Sequence, residues 1–117
     1  MLLTSFRRNG AGVSTPFGPM RRDGMLYCFT DARSGKVKRI RRDDRVELAP
    51  CSQRGQVLGQ TVAARARVLA GDEGARMAAA FDAFWTKQFG LFWRVGRAVE
   101  RLRGLKRVVI EIAPAVT

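Results

Sequence analysis

The sequence predicts a mainly β protein with some helix: six antiparallel strands closing into a small barrel, with late helices plugging or flanking it. Three observations carry that prediction. Short apolar runs alternate with tight-turn dipeptides, Asn9-Gly10 and Asp23-Gly24, in the first quarter of the chain. A helical excursion then occupies most of the last third, and a final β-branched run, Val108-Val109-Ile110-Glu111-Ile112, follows it. The 117 residues show no repeat, low-complexity linker or composition break, so one domain spanning 1–117 is expected.

Leu2 to Phe6 reads as the first strand, and Asn9-Gly10 turns it back because both residues tolerate positive φ. Gly12 to Pro19 reads as the second strand. Pro16 and Pro19 cannot donate ladder hydrogen bonds, so this strand is an edge, or is interrupted where something docks. Asp23-Gly24 turns into Met25 to Thr30, a mostly apolar third strand. Ser34-Gly35 opens a short basic helix that runs to Arg42, and Val46 to Pro50 is the fourth strand. Cys51 to Gln56 is a polar loop. In the fifth strand, Thr61 to Leu69, Val62, Ala64, Ala66 and Val68 share one face, while Arg65 and Arg67 fall on the other. Asp72 or Glu73 can cap a helix to about Phe89, with Ala78, Phe81, Phe84, Trp85 and Phe89 in its apolar face. Gly90 stops it. From Leu91 to Arg103 a second helical segment puts Arg94, Arg97 and Arg101 on one side and Val95, Val99 and Leu102 on another. Gly104 ends that segment, and Arg107 to Ala113 closes the chain as the sixth strand.

Charge narrows the partners. Lys and Arg number 22 against 10 acids, a net charge of +12. An anionic partner follows, whether nucleic acid, membrane surface or phosphorylated cofactor. Only four of the cations are Lys, a skew that GC-rich coding also produces, so net charge alone does not choose among them. Cys28 and Cys51 have no second thiol near either, which is neither a zinc spacing nor a disulfide framework, and reduced thiols are expected. No stretch approaches the roughly 18 apolar residues of a membrane span, and Met1 to Phe6 lacks the basic flank and apolar stretch of a signal peptide. The expectation is a soluble, cytoplasmic protein with no membrane partner.

Catalytic groups are scarce. Without a single His, neither a Ser-His-Asp arrangement nor a His metal site is available. Asp43 and Asp44, adjacent after the basic helix, suit capping and neutralisation better than an acid and base pair. The glycines are scattered at turns rather than gathered in a phosphate-binding loop. Any enzymatic chemistry must therefore reside in a cofactor that the polypeptide binds and orients, and hydride transfer is the class that fits.

The run from Thr30 to Arg42 points to where that cofactor binds. Ser34 and Gly35 stand at a helix start whose backbone N–H groups face outward, and Lys36, Lys38, Arg39, Arg41 and Arg42 follow within seven positions. A purely solvated basic face is the plainer reading of such a run. The Ser-Gly start adds a place where a backbone or ligand approaches closely, which suits a phosphorylated or polyanionic small molecule.

Taken in order, Leu2-Leu3-Thr4-Ser5-Phe6-Arg7-Arg8-Asn9-Gly10, Val13-Ser14-Thr15-Pro16, Leu26-Tyr27-Cys28-Phe29-Thr30, Ser34-Gly35-Lys36-Val37-Lys38-Arg39-Ile40-Arg41-Arg42 and Arg45-Val46-Glu47-Leu48-Ala49-Pro50-Cys51 resemble the pyridoxamine 5'-phosphate oxidase-like, FMN-binding split-barrel superfamily. More narrowly they resemble its branch of probable F420-dependent oxidoreductases, whose cofactor is a phosphorylated deazaflavin with an acidic oligoglutamate tail. The resemblance spans nearly the whole chain. It implies a six-stranded split barrel and a homodimer with two cofactor clefts at the subunit interface. It also implies that Ser34, Gly35, Lys36 and Lys38 or Arg39 contact phosphate and tail. Ser14, Thr15 and Pro16 would line the deazaflavin ring, and Thr30 with Ala49, Pro50 and Cys51 would form the adjoining wall. Structural roles compete with these: satisfied strand hydroxyls for Ser14 and Thr15, a strand end for Thr30, a small buried hydrophobe for Cys51. The chain departs from its relatives in two ways. They begin with a helix before the first strand, and they carry Lys-Tyr-Gly where this chain has Lys87-Gln88-Phe89-Gly90.

The expected activity is reduction of an unsaturated small-molecule acceptor by hydride from reduced coenzyme F420. FMN is the alternative cofactor, since its phosphate suits the same loop. From other classes come a basic nucleic-acid-binding barrel using the Arg94, Arg97, Arg101 face, and a carrier of a flavin-like or tetrapyrrole ligand without turnover. Too few aromatics lie outside the apolar faces to supply the stacking platforms of a single-strand binder, so nucleic acid is the weaker partner. No residue is assigned to proton transfer, and no metal is expected.

Overall fold

The structure is a computed structural model that describes residues 1–52 and 56–114. Seven strands and three helices follow one another as β1 Leu2–Phe6, β2 Gly12–Pro16, β3 Met20–Arg22, β4 Met25–Asp31, α1 Gly35–Arg42, β5 Arg45–Ala49, β6 Val62–Val68, α2 Gly71–Phe89, α3 Leu91–Leu102 and β7 Arg107–Pro114. All seven strands form one antiparallel sheet in the order β2-β1-β5-β6-β7-β4-β3. Its two edges, β2 and β3, are joined by residues 17–19 alone, which forces the sheet to curl until the edges approach each other.

Those residues also account for the seventh strand. The expected second strand, Gly12 to Pro19, breaks after Pro16, where the Phe17 N–H turns to the carbonyl of Met1 at 2.8 Å. Met20 to Arg22 then pairs forward with β4 across Asp23 and Gly24, whose φ values of 51° and 78° suit a two-residue hairpin turn. Polar loop residues 53–55 lie outside the described residues.

Two cores lie on opposite faces of β4 and β7. Inside the barrel, Cys28, Ile110 and Ile112 pack with Leu3, Val46 and Leu48, and α1 plugs the opening with Val37 and Ile40. Outside, Tyr27, Phe29 and Val109 are covered by α2 and α3 through Phe81, Met77, Trp85 and Trp93. Being buried on both faces, β4 and β7 read as near-continuous apolar runs, whereas β6 alternates.

Helix ends differ from expectation in detail. Ser34 caps α1, its Oγ accepting the Val37 N–H at 3.4 Å. At α2 the cap position is Ala70, without a side-chain bond, and Asp72 and Glu73 lie in the first turn. Neither acid caps, because the helix already begins at Gly71, and Glu73 instead pairs with Arg67 at 2.8 Å.

Candidate functional site

The twelve residues named from the sequence do not form one site: Gly35, Lys38 and Arg39 share a groove, Pro16, Ala49, Pro50 and Cys51 gather at a hollow, and Ser14, Thr15, Thr30, Ser34 and Lys36 stand apart from both. Gly35, Lys38 and Arg39 lie in a groove of about 430 Å³ whose other walls are Arg7, Arg8 and Arg42. The β1–β2 turn supplies Arg7 and Arg8, and α1 supplies the rest. Arg39 is fixed by donating from Nε to Ser5 Oγ at 2.7 Å, and Arg42 donates to the carbonyl of Phe6. A Cβ on Gly35 would stand 2.7 Å from Arg39 Nη1, so glycine is what lets that guanidinium lie over the first turn of α1. Among the described residues none of the five cations has a carboxylate within ion-pair distance. Burial and the nearby Arg7 both push the Arg39 guanidinium pKa down from its ordinary value.

The acids are spent elsewhere. Asp43 pairs with Arg45 at 2.9 Å, and the hydrogen bonds from Arg45 hold its carboxyl at about 2. Asp44 takes Arg65, Glu73 and Glu111 share Arg67, and Glu100 holds Arg107 and Arg97. Asp43 and Asp44 thus neutralise cations, as their positions suggested. Asp43 is also the C-cap of α1, its N–H reaching the Arg39 carbonyl at 2.8 Å.

Lys36 is not in the groove. It shares the inner face of α1 with Val37 and Ile40 and is only 9% exposed. Among the described residues its ammonium has no hydrogen-bond or ion-pair partner. Burial raises the Cys28 thiol pKa, and the charges of Lys36 and Arg107 act against that rise.

The expected ring-lining residues lie at the other end of β1. Pro16 and Cys51 line a hollow of about 380 Å³ with Met1, Phe17, Gly18 and Ser52. Ala49 and Pro16 both lie opposite Leu2 in the ladder and share its face. Pro50 is exposed beside them. A Cβ on Gly18 would stand 3.3 Å from the Trp85 ring, so a side chain there needs that ring to give by a few tenths of an ångström. Met1 borders this hollow and Arg7 borders the groove, so the two are about 20 Å apart at roughly 3.3 Å per strand residue.

Ser14 and Thr15 are divided by strand alternation. Ser14 pairs with Thr4 on the outer face and the two hydroxyls bond at 2.7 Å, while Thr15 faces inward opposite Leu3. Thr30 pairs with Val108 on the far side of the barrel, in a separate hollow with Asp31, Glu100 and Arg107. The residues that the sequence reading missed, Arg7, Arg8 and Arg42 as groove walls, share one signal: an Arg-Arg pair on a hairpin turn, opposite a basic helix in a chain short of acids.

No group of three or more metal-ligating side chains occurs among the described residues, and both cysteines are free. No family model matches the chain, and no curated protein matches it. Solved structures share its fold. The heme storage protein HutZ of Vibrio cholerae superposes with a TM-score of 0.71 at 10% identity, over 99% of this chain and 81% of its own. A conserved hypothetical protein of Mycobacterium tuberculosis gives 0.64 at 21% identity, over 98% and 72%. An FAD-binding protein of Mesorhizobium loti gives 0.60 at 15% identity, over 98% and 80%. The shared architecture is the curled, antiparallel split barrel.

Proposed function

We propose that this chain is an oxidoreductase of the split-barrel class that binds the phosphorylated deazaflavin F420 in a cleft completed by a second copy, and reduces an unsaturated organic acceptor. One observation carries the reading: among the described residues, five cations line one groove along α1 and none of them has a carboxylate within ion-pair distance. Leaving like charges together costs stability, and a polyanionic ligand offsets that cost. The donor set fits the acidic part of the cofactor. Lys38, Arg39 and Arg42, with Arg7 and Arg8, would hold tail carboxylates or phosphate, and the apolar hollow at Pro16, Phe17 and Cys51 would receive the ring. When bound, the deazaflavin supplies the hydride. The protein's part is to bind, orient and exclude water.

The separation of groove and hollow favours F420 over FMN, whose phosphate is one short polyol from its ring, whereas a long acidic tail can reach the far end of β1. The FAD-binding protein of the same fold supports a flavin-type ligand. HutZ supports the carrier reading less, because a sequence without His leaves heme ligation to Cys, Met or Tyr, and Cys28 and Tyr27 are buried. The nucleic-acid reading is weakened at two of its three arginines, since Arg97 is held by Asp82 at 2.9 Å and Glu100 at 3.1 Å, and Arg101 stands 3.9 Å from Asp82. For the second copy, exposed Val57, Leu58 and Val62 beside the Pro50–Cys51 segment offer the apolar contact.

Titration of the purified protein with oxidised and reduced F420, FMN and an oligonucleotide, at low and moderate salt, tests the reading, with light scattering as a check on the dimer. F420 binding that survives moderate salt is expected, with steep loss of any oligonucleotide binding. Tight, salt-resistant oligonucleotide binding without F420 binding would overturn it.

A further inference from the structure

Helix α3 is fastened to the body by its polar side. Trp93 and Arg97 both donate to Asp82 Oδ1 at 2.9 Å, and Arg97 also reaches Glu100, which holds Arg107 of β7 at 2.6 Å. The side that carries Val95, Val99 and Leu102 faces out. Leu91, Phe92, Val95, Val99 and Leu102 are exposed by 73, 89, 53, 42 and 89%. At 100° per residue they fall within an arc of about 100° that holds no polar residue.

The borders of that arc are cationic. Arg94 and Arg101 run along one side and Arg103 stands at the other, while Glu100, the only acid in α3, is turned inward to its two arginines. Beside the Arg94–Arg101 border, a groove of about 710 Å³ between α2 and α3 adds Lys87, Thr86 and Arg97 against Asp82 alone.

We propose that this face seats on an anionic phospholipid membrane surface, with the apolar arc in the acyl boundary and lipid phosphates in the α2–α3 groove. A second copy laid on the arc would bring the bordering arginines of both copies together, a repulsion that a negative lipid surface turns into attraction. Phe92 and Leu102 stand proud of the surface, which a folded partner must match with holes and a fluid acyl layer need not. Among the described residues no helix is long and apolar enough to cross a membrane, so α3 lies along the surface. The membrane surface that net charge left open, and that the lack of a spanning stretch argued against, thus returns through the exposure of one helix face. It does not depend on the cofactor reading.

Sedimentation of the full chain with sucrose-loaded vesicles tests this. Vesicles of phosphatidylcholine mixed with phosphatidylglycerol should pellet the protein, and pure phosphatidylcholine should bind it at least about tenfold more weakly. Phe92→Ser with Leu102→Ser, and separately Arg94→Ala with Arg101→Ala, should each weaken pelleting by about tenfold or more without altering the circular dichroism spectrum. Absence of pelleting, or equal pelleting of wild type and both variants, overturns the proposal. So does a dimer that the Phe92→Ser, Leu102→Ser pair converts to monomer while vesicle binding stays unchanged, since a second copy would then own the face.

Discussion

Arg39 donates from Nε to the hydroxyl of Ser5 at 2.7 Å, across a sequence separation of 34 residues, and so ties the cationic helix to the inner face of the first strand. Ser5 is 1% exposed while Arg39 is only half-buried, so the two ends of the bond are not equivalent. Ser5→Ala leaves Arg39 able to recover water and should cost about 0.5–1.5 kcal/mol in urea unfolding. Arg39→Ala strands a buried hydroxyl and should cost more, about 1–3 kcal/mol, with a loss of affinity for F420 that Ser5→Ala shows less. Equal stability losses would mean that the hydroxyl finds another partner.

Lys36 offers a sharper test through its charge. Its stem packs with Val37 and Ile40, so Lys36→Ala would confound packing with binding. Lys36→Met keeps the stem and removes the charge. No side-chain nitrogen among the described residues is both buried and unpartnered, so the Lys36 ammonium keeps access to water and the variant should stay within about 0.5 kcal/mol of wild-type stability. Since Lys36 stands outside the groove, F420 affinity should stay within about twofold of wild type, whereas Lys38→Met, on the groove wall, should bind about 10- to 150-fold more weakly, the equivalent of a lost charge-assisted contact of about 1.5–3 kcal/mol. Arg101→Ala, remote from α1, is the control and should leave F420 affinity unchanged. A loss with Lys36→Met as large as that with Lys38→Met would make Lys36 a ligand contact and the groove assignment wrong.

The two thiols report on the ring hollow. Cys28 is 1% exposed and burial raises its pKa, with Lys36 and Arg107 opposing, so a thiol reagent should reach it only on unfolding. Cys51 is half-buried at the mouth of the Pro16 hollow and should react in the folded protein. Saturating F420 should slow that reaction by about tenfold or more through occlusion. Identical rates with and without cofactor would remove Cys51 and Pro16 from the ring wall.

Acid stability should carry the signature of Glu100. Hydrogen bonding from Arg107, opposed by burial and aided by Arg97, lowers its pKa below the usual carboxylate value. A carboxylate depressed in the folded state contributes stability above its unfolded pKa and loses it as pH falls through the folded one. Glu100→Gln should therefore be less stable than wild type at pH 7, by about 1–2 kcal/mol, with the gap closing below about pH 4.5. A gap that stays constant into acid would assign the loss to packing rather than to charge.

Much of the fold was legible because its signals are local. Alternation marked β1 and β6, double-sided burial wrote β4 and β7 as apolar runs, and Ser34 announced α1. The short β3 was not legible, because three residues with two arginines carry no period and their pairing depends on how residues 17–19 cross the gap. At the site, reading from contiguous motifs grouped residues that the backbone separates. Ser14 and Thr15 point to opposite faces, as period two already required, and Lys36 shares its helix face with Ile40, as 3.6 residues per turn required. Arg7 and Arg8 join the groove only through tertiary packing of a hairpin turn against α1, which no local pattern encodes.

The place of β7 has a bearing on synthesis. It is the last strand in sequence, yet it lies inside the sheet, with six register pairs to β4 on one side and five to β6 on the other. A nascent chain that has not yet released Arg107 to Pro114 from the ribosome therefore holds two unjoined pieces, β2-β1-β5-β6 and β4-β3, each with an extra naked edge. Closure awaits that final segment, and until then the protection of those edges falls to whatever chaperones the emerging chain.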